Sequence, residues 1–550
     1  MEINKTCTSC GKSFVVNELD QKFYEKMVVP MPTLCPDERA KRRLAFRNEK
    51  HLYHRKCDLS GKSIISNYSI DKVNKVYDQK EWWSDKWSAM DYGRDFDFNR
   101  SFFEQYSELQ KEVPRLNLLS INNENSDYTN CVSNLKNCYL LFSSDFSQDC
   151  YYGDWVQNSK NCVDNYLIVR SELAYECFYS QSIYRGIYIF NSSNCTDSAF
   201  LYDCRGCNDC FMSYGLRNKK YCIENKEYSK EEYEKLMKEI KISSNANFSK
   251  LKQKFFEIIK NHPRLYMQKM GRVESSTGDL FMDSENCLES FEVVKGKDCK
   301  FVQSGFEIKD IYDSSYVNGE LGYENCECFP MPYNSAFNVN TYTGQNLFYT
   351  DSCMSNCSDC FGCISLRANK YCILNKQYTK EEYENMKARI IEYMKKTGEW
   401  GEFFPIELSP FGYNETNAQE FFPITKEDAL SEKYKWKEED ENSSYSGPYV
   451  NIPDDIKDVD SEITKQILKC EISGKLYKII PQELECYKTM GIPIPRCSPE
   501  QRWKDRFSKQ NPRTLWDRKC ENCSKGIKST YSPDRPEKVY CEVCYLKIVY

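Results

Sequence analysis

Four cysteines spaced C-x2-C-x17-C-x2-C, Cys520, Cys523, Cys541 and Cys544, are the residues of this chain best suited to chemistry. Two such knuckles can present four thiolates tetrahedrally to zinc and leave no position for a substrate, the arrangement of a structural site rather than a catalytic one. A second set stands near the other end, Cys7, Cys10 and Cys35, with Glu38 as the expected fourth ligand. Carboxylate and imidazole both bind zinc, so Asp37, His51 and His54 stay open beside Glu38. Zinc is the one cofactor expected.

The two sets belong to one duplicated module. At an offset of 463 residues Cys7 falls on Cys470, Gly11-Lys12 on Gly474-Lys475, Pro30 and Pro32 on Pro493 and Pro495, and Arg55-Lys56-Cys57 on Arg518-Lys519-Cys520. Each module therefore has two potential four-ligand sites. The first reads Cys7, Cys10, Cys35, Glu38 in one copy and Cys470, Ser473, Ser498, Gln501 in the other. The second reads Cys57, Ser60, Asp78, Glu81 in one and Cys520, Cys523, Cys541, Cys544 in the other. Each copy keeps the site that the other has lost, so the expectation is two zinc ions and two degraded sites held by packing.

The middle of the chain is duplicated as well. An offset of 149 places Asn137-Cys138 on Asn286-Cys287 and Asp149-Cys150 on Asp298-Cys299, and an offset of 150 places Tyr221-Cys222 on Tyr371-Cys372. Within each copy a polar residue, a cysteine and then an apolar or aromatic residue recur, as in Asn137-Cys138-Tyr139 and Asp149-Cys150-Tyr151. Short alternating stretches between Asn- and Ser-rich corners predict a β-solenoid with small buried cysteines stacked from coil to coil. The uneven cysteine spacing keeps an ordinary antiparallel sheet as the competing fold. Ser229 and Thr379, each followed by Lys-Glu-Glu, predict N-capped helices over 229–240 and 379–397. Cys204, Cys207, Cys210 and Cys222, with Cys357, Cys360, Cys363 and Cys372, have a spacing that iron–sulfur ligation also uses. Only three cysteines per copy are shared, which favours buried core thiols over a cluster.

Between the knuckles both modules turn basic and aromatic. Arg42, Arg43 and Arg47 in the first, and Arg502, Trp503 and Arg506 in the second, could neutralise phosphates and stack on bases, so RNA or a ribonucleoprotein is the expected partner. The competing reading is a helix face with its aromatics packed beneath the knuckles.

The remaining sequence sets limits. A chain of 550 residues exceeds one core and implies several domains. The boundaries read as a zinc-ribbon-like module at 1–81, an aromatic connector at 82–128 and repeat domains at 129–245 and 280–398 joined by 246–279. A connector with an acidic linker covers 399–465 and the second module 466–550. Trp82, Trp83 and Trp87 are expected to dock the first module onto the first repeat domain. The net charge of −6 excludes a globally basic nucleic-acid binder. No membrane span, leader segment or small-molecule substrate is read, and a cytoplasmic setting with reduced cysteines is expected. Three histidines, no Gly-rich phosphate loop and no nucleophile elbow leave no catalytic constellation.

Two resemblances rest on particular residues. Cys7-x2-Cys10-Gly11-Lys12-x-Phe14, Phe23-Tyr24-Glu25 and Pro32-x2-Cys35-Pro36 resemble a zinc-ribbon domain family of small bacterial proteins, with Glu38 replacing that family's fourth cysteine. The strings at 43–48, 409–415 and 516–520 are similar to those of cysteine-rich zinc-ribbon proteins from candidate-phyla bacteria. The resemblance implies zinc and a bacterial cytoplasm and brings no reaction. The expected protein is mainly β with flanking helices: duplicated cysteine-rich β-solenoid-like domains between two zinc-ribbon-like modules, acting as a non-enzymatic scaffold. The alternative is a thiol-rich metal-handling or redox protein.

Overall fold

The two repeat regions form parallel β-solenoids whose backbone returns to register every 12 residues in most coils, so that the Val156 N–H meets the Ser144 hydroxyl of the preceding coil, with 11- and 13-residue coils interspersed in the second solenoid. This is a computed structural model, and it describes residues 2–72, 74–438 and 450–550. Part of the expected acidic linker, 439–449, lies outside the described residues.

Each coil is built from three-residue steps. Through most of both solenoids every third residue has φ near +50°, for example Asn137, Leu140, Ser143, Phe146 and Asp149. The left-handed region is costly for β-branched side chains and tolerated best by Asn, Asp and Gly. The corners follow that rule: Asn and Asp recur there, and among described solenoid corners Thr343 is the one β-branched residue. The residue after each corner points inward. Cys138, Leu141, Ser144 and Ser147 make one coil's interior, and Cys150, Val156 and Ser159 continue it in the next. Four inward side chains must share a narrow lumen, which favours Cys, Ser, Gly, Ala and the aliphatics.

Interior polar groups are satisfied along the stack. The Ser147 hydroxyl accepts from the Ser159 N–H at 3.2 Å, and the Ser159 hydroxyl from the Ser171 N–H at 3.1 Å. Cys150 and Cys162 donate their thiols to the carbonyls of Gln148 and Lys160, each at 3.2 Å. Buried hydroxyls and thiols thus cost little desolvation. The antiparallel alternative is overturned, because every pairing between successive coils is parallel. Cysteine spacing looked irregular because cysteine hops between interior columns. Cys138, Cys150, Cys162, Cys177, Cys195 and Cys204 are all separated by multiples of three.

The first solenoid begins at Ser120, which pairs with Val132, and the second at Lys269, which pairs with Phe281, both ahead of the expected starts. Each ends in a short antiparallel return, Cys222 against Glu227 and Cys372 against Gln377, that covers the last coil's edge. Capped helices follow at Lys230–Glu239 and Lys380–Thr397, with Ser229 and Thr379 as N-caps.

The chain divides into two compact units that are not sequential halves. One is Met1–Leu118 with Met267–Glu439, and the other is Leu119–Tyr266 with Asp440–Tyr550. The N-terminal module therefore belongs with the second solenoid and the C-terminal module with the first. This corrects the expected docking of the Trp82–Trp87 segment onto the first repeat domain. Arg367 of the second solenoid donates to the Trp82 and Trp87 carbonyls, each at 3.0 Å, beneath both indole rings.

Candidate metal centres

Each module is a pair of knuckles separated by a helical insert. In the N-terminal copy a hairpin, Ile3–Thr6 against Ser13–Val16, carries Cys7 and Cys10 in its loop. Cys35 is the N-cap of the helix Pro36–Leu44. The C-terminal copy uses the hairpin Trp516–Lys519 and Gly526–Ser529 for Cys520 and Cys523, and Cys541 is the N-cap of Glu542–Val549. Hairpin loop and helix N-terminus both direct N–H groups toward the sulfurs, which favours thiolate over thiol. Burial opposes ionisation of Cys520, yet the N–H groups of Cys541, Asn522 and Cys523 hold it down to about 6.

Cys520, Cys523, Cys541 and Cys544 place their sulfurs within 4.8 Å of one another, as four ligands of one ion would. Cys523 and Cys541 approach to 3.7 Å. At the other end Cys7, Cys10 and Cys35 cluster in the same way, with Cys10 and Cys35 at 3.7 Å. The expected fourth ligand, Glu38, is not brought into that group. Its carboxylate accepts from the Ser9 hydroxyl at 3.1 Å. The alternative His51 is turned to the Glu415 carbonyl at 3.0 Å. The N-terminal site is thus a three-thiolate site with one coordination position left to Glu38 or water. Among the described residues no further group of three metal-ligating side chains converges. The solenoid cysteines are core: Cys204, Cys210 and Cys222 donate to backbone carbonyls at 3.6, 3.4 and 3.5 Å, and the iron–sulfur alternative falls with them.

The basic stretches are where the structure departs furthest from expectation. Arg43, Arg47, Arg502 and Arg506 are buried. Arg39 donates to Asp313 at 2.8 Å, Arg43 to Glu324 at 2.9 Å, and Arg42 to Glu324 at 3.1 Å and Glu402 at 2.9 Å. Arg47 pairs with Glu327 at 3.1 Å and lies over the Tyr316 ring. In the other unit Arg502 and Arg506 grip the two oxygens of Asp164 at 2.5 and 2.7 Å, and Trp503 meets Tyr166 edge-on at 5.3 Å. These six residues, read as phosphate and base contacts, instead seat each module on its solenoid. The inserts are basic because the solenoid corners they meet are acidic.

Sequence reasoning missed the receiving carboxylates, Asp164, Glu176, Asp313 and Glu324, all at left-handed corners. The offset of 149 does superpose Asp164 on Asp313, and that coincidence was the available signal.

The comparisons with known proteins agree with this reading of the N-terminus. Residues 2–47 match the family model described as "Probable treble clef domain", a knuckle-and-helix metal-binding unit. A search of curated proteins returns no match. One solved chain from Desulfovibrio desulfuricans G20, provisionally titled an acetyltransferase, is 10% identical with a TM-score of 0.11, covering 56% of this chain and 86% of its own. A similarity that low carries no argument. No described helix is long and apolar enough to cross a membrane.

Proposed function

We propose that this chain is a non-enzymatic, zinc-bound scaffold in which each treble-clef-like module locks the covered face of one β-solenoid and leaves the other faces as binding surface. The observation that carries the reading is the repetition of the same buried clamp, Arg39 on Asp313 and Arg502 on Asp164, alongside one surviving thiolate site per module. The closed four-thiolate set of the C-terminal module and the buried ion pairs of both modules serve positioning. The rival, a thiol-rich metal-handling protein, needs accessible thiols in number, whereas the solenoid interior cysteines are sealed in the core. Elemental analysis of purified full-length protein tests the choice. Two tightly held zinc ions per chain support the scaffold; many exchangeable ions would favour the rival.

Contact with nucleic acid or a ribonucleoprotein is the second reading, and it now rests on different residues. A groove on the C-terminal hairpin is lined by Arg518, Lys519 and Lys528 with Asp517 as its one carboxylate. Salt-sensitive RNA retention on filters that falls in Lys519→Ala/Lys528→Ala would support it, and retention unchanged in that variant would remove it.

A further inference from the structure

One lysine of the C-terminal module stands where its duplicate holds a phenylalanine. At the offset of 463 Lys509 falls on Phe46, which is buried against the Phe403 and Phe404 rings at 5.4 and 6.0 Å. An apolar ring thus satisfies the fold at this position. Lys509 is half-buried in a similar setting, its ammonium nitrogen 4.9 Å from the Tyr188 ring centroid and 5.6 Å from those of Phe190 and Phe256. Three elements far apart in sequence meet there: the turn after the helix Pro499–Phe507, the strand Phe178–Phe190 and the helix Asn245–Ile259.

The ammonium group has a hydroxyl, not a carboxylate, as its hydrogen-bond partner: it donates to Tyr188 at 2.9 Å. Glu176, at a solenoid corner, is bonded instead to Lys252 at 2.7 and 2.9 Å. Lys252 also lies over the Tyr188 ring, at 5.1 Å, so two amines share one aromatic side chain. Arg506 adds a third cation, and Asp505, exposed, accepts from Gln501 at 2.8 Å. Burial disfavours the ammonium, Lys252 and Arg506 repel it, and Glu176 and Asp505 offset this only in part, which holds Lys509 down to about 8. An amine desolvated among rings beside a second cation is the arrangement that makes lysine a nucleophile near neutral pH.

We propose that Lys509 is a nucleophilic lysine that captures a small apolar aldehyde as an imine. The neutral amine attacks the carbonyl carbon; the C–N bond forms, and the carbonyl oxygen takes the π electron pair and then a proton released by the nitrogen. The C–O bond of this carbinolamine breaks as the Tyr188 hydroxyl gives its proton to the departing hydroxide, which leaves as water. The remaining proton on nitrogen returns to Tyr188 as the imine is completed. One amine and one aldehyde become one imine and one water. Burial raises the Tyr188 phenol well above its ordinary range, so it holds the proton this step needs. The half-buried amine limits the aldehyde to something small, and the three rings favour an apolar one. The capture is stoichiometric and independent of the metal sites.

Full-length zinc-loaded protein is mixed with propanal and sodium cyanoborohydride at neutral pH, and N-propyl-lysines are mapped by mass spectrometry over time. The expected result is labelling of Lys509 about tenfold faster than of Lys504, a nearby exposed lysine that pairs with Glu500 at 2.9 Å. The Lys509 rate should level off above about pH 8. Lys252→Met frees Glu176 to pair with Lys509, and in protein shown to be folded by circular dichroism it should bring Lys509 down to the Lys504 rate. Labelling of Lys509 no faster than of Lys504, or unslowed in folded Lys252→Met, overturns the proposal. Should that variant not fold, the pH profile of the parent protein decides, and a Lys509 rate still climbing well beyond pH 8 overturns it.

Discussion

Arg502 and Asp164 meet in a buried ion pair at 2.5 Å, and Arg39 and Asp313, their counterparts in the two duplications, meet in another at 2.8 Å. The neighbours repeat too. Arg502 lies over the Tyr152 ring and Arg39 over the equivalent Phe301. Tyr487 meets Tyr175 edge-on at 5.8 Å, and Tyr24 meets Tyr323 at 5.4 Å. Two copies that exchanged most of their ligands kept this contact. Seating the module on the solenoid is therefore the part of the design that both units depend on.

Breaking the clamp on one side should be severe. Asp164→Asn leaves Arg502 and Arg506 buried without their shared carboxylate, and loss of one partner from such a pair costs about 3–5 kcal/mol. A urea titration that follows tryptophan fluorescence should show a matching drop in midpoint. An unchanged midpoint would mean that the aromatic contacts seat the module alone.

The two metal sites should differ in grip. Four thiolates close the Cys520 site, whereas the Cys7 site leaves a position to Glu38 or water. Under a chelator the N-terminal ion should leave first. Glu38→Cys should slow that loss until the two sites release together, and time-resolved elemental analysis reads the difference. Release of both ions at one rate in the parent protein would contradict the three-thiolate reading.

Interior cysteines should behave as packing groups. Cys150→Ala leaves a small void, while Cys150→Phe forces a ring into a lumen sized for Cys, Ser and aliphatic side chains. Overpacking of that kind costs about 1–3 kcal/mol or more. Neither change should alter zinc content. A fall in zinc on Cys150→Ala would assign that thiol to a metal.

Acid should loosen the second unit through Glu176. Burial alone would raise its carboxyl pKa, but Lys252 and Lys509 hold it down to about 2. A carboxyl depressed in the folded state adds stability above its unfolded pKa, and that contribution disappears as pH falls from about 4.5 to about 2. The expected contribution is about 3 kcal/mol. Glu176→Gln should therefore flatten the acid limb of an unfolding-midpoint profile, and an identical limb in the variant would remove the assignment.

Much of this was legible in the residues. The module duplication, the surviving cysteine sets, the solenoid and the capped helices after it all follow from local spacing, because knuckles, N-caps and repeat units are short-range chemistry. The twelve-residue coil was present too, hidden in cysteine separations that are multiples of three. Whether Glu38 completes the N-terminal set was not legible, because ligand spacing does not reveal that its carboxylate also has the Ser9 hydroxyl as a partner.

The sequence by itself determined which residues could hold metal, that both ends and both middles are copies, and that small side chains stack inside a β-coil. Only the tertiary structure decided that each module sits with the solenoid more distant from it in sequence, and that its arginines are buried on carboxylates instead of facing solvent. A run of Arg and aromatic residues reads alike whether it awaits a phosphate or a carboxylate. The distinction lies in which acidic corner folding brings against it, and that corner is hundreds of residues away in the chain.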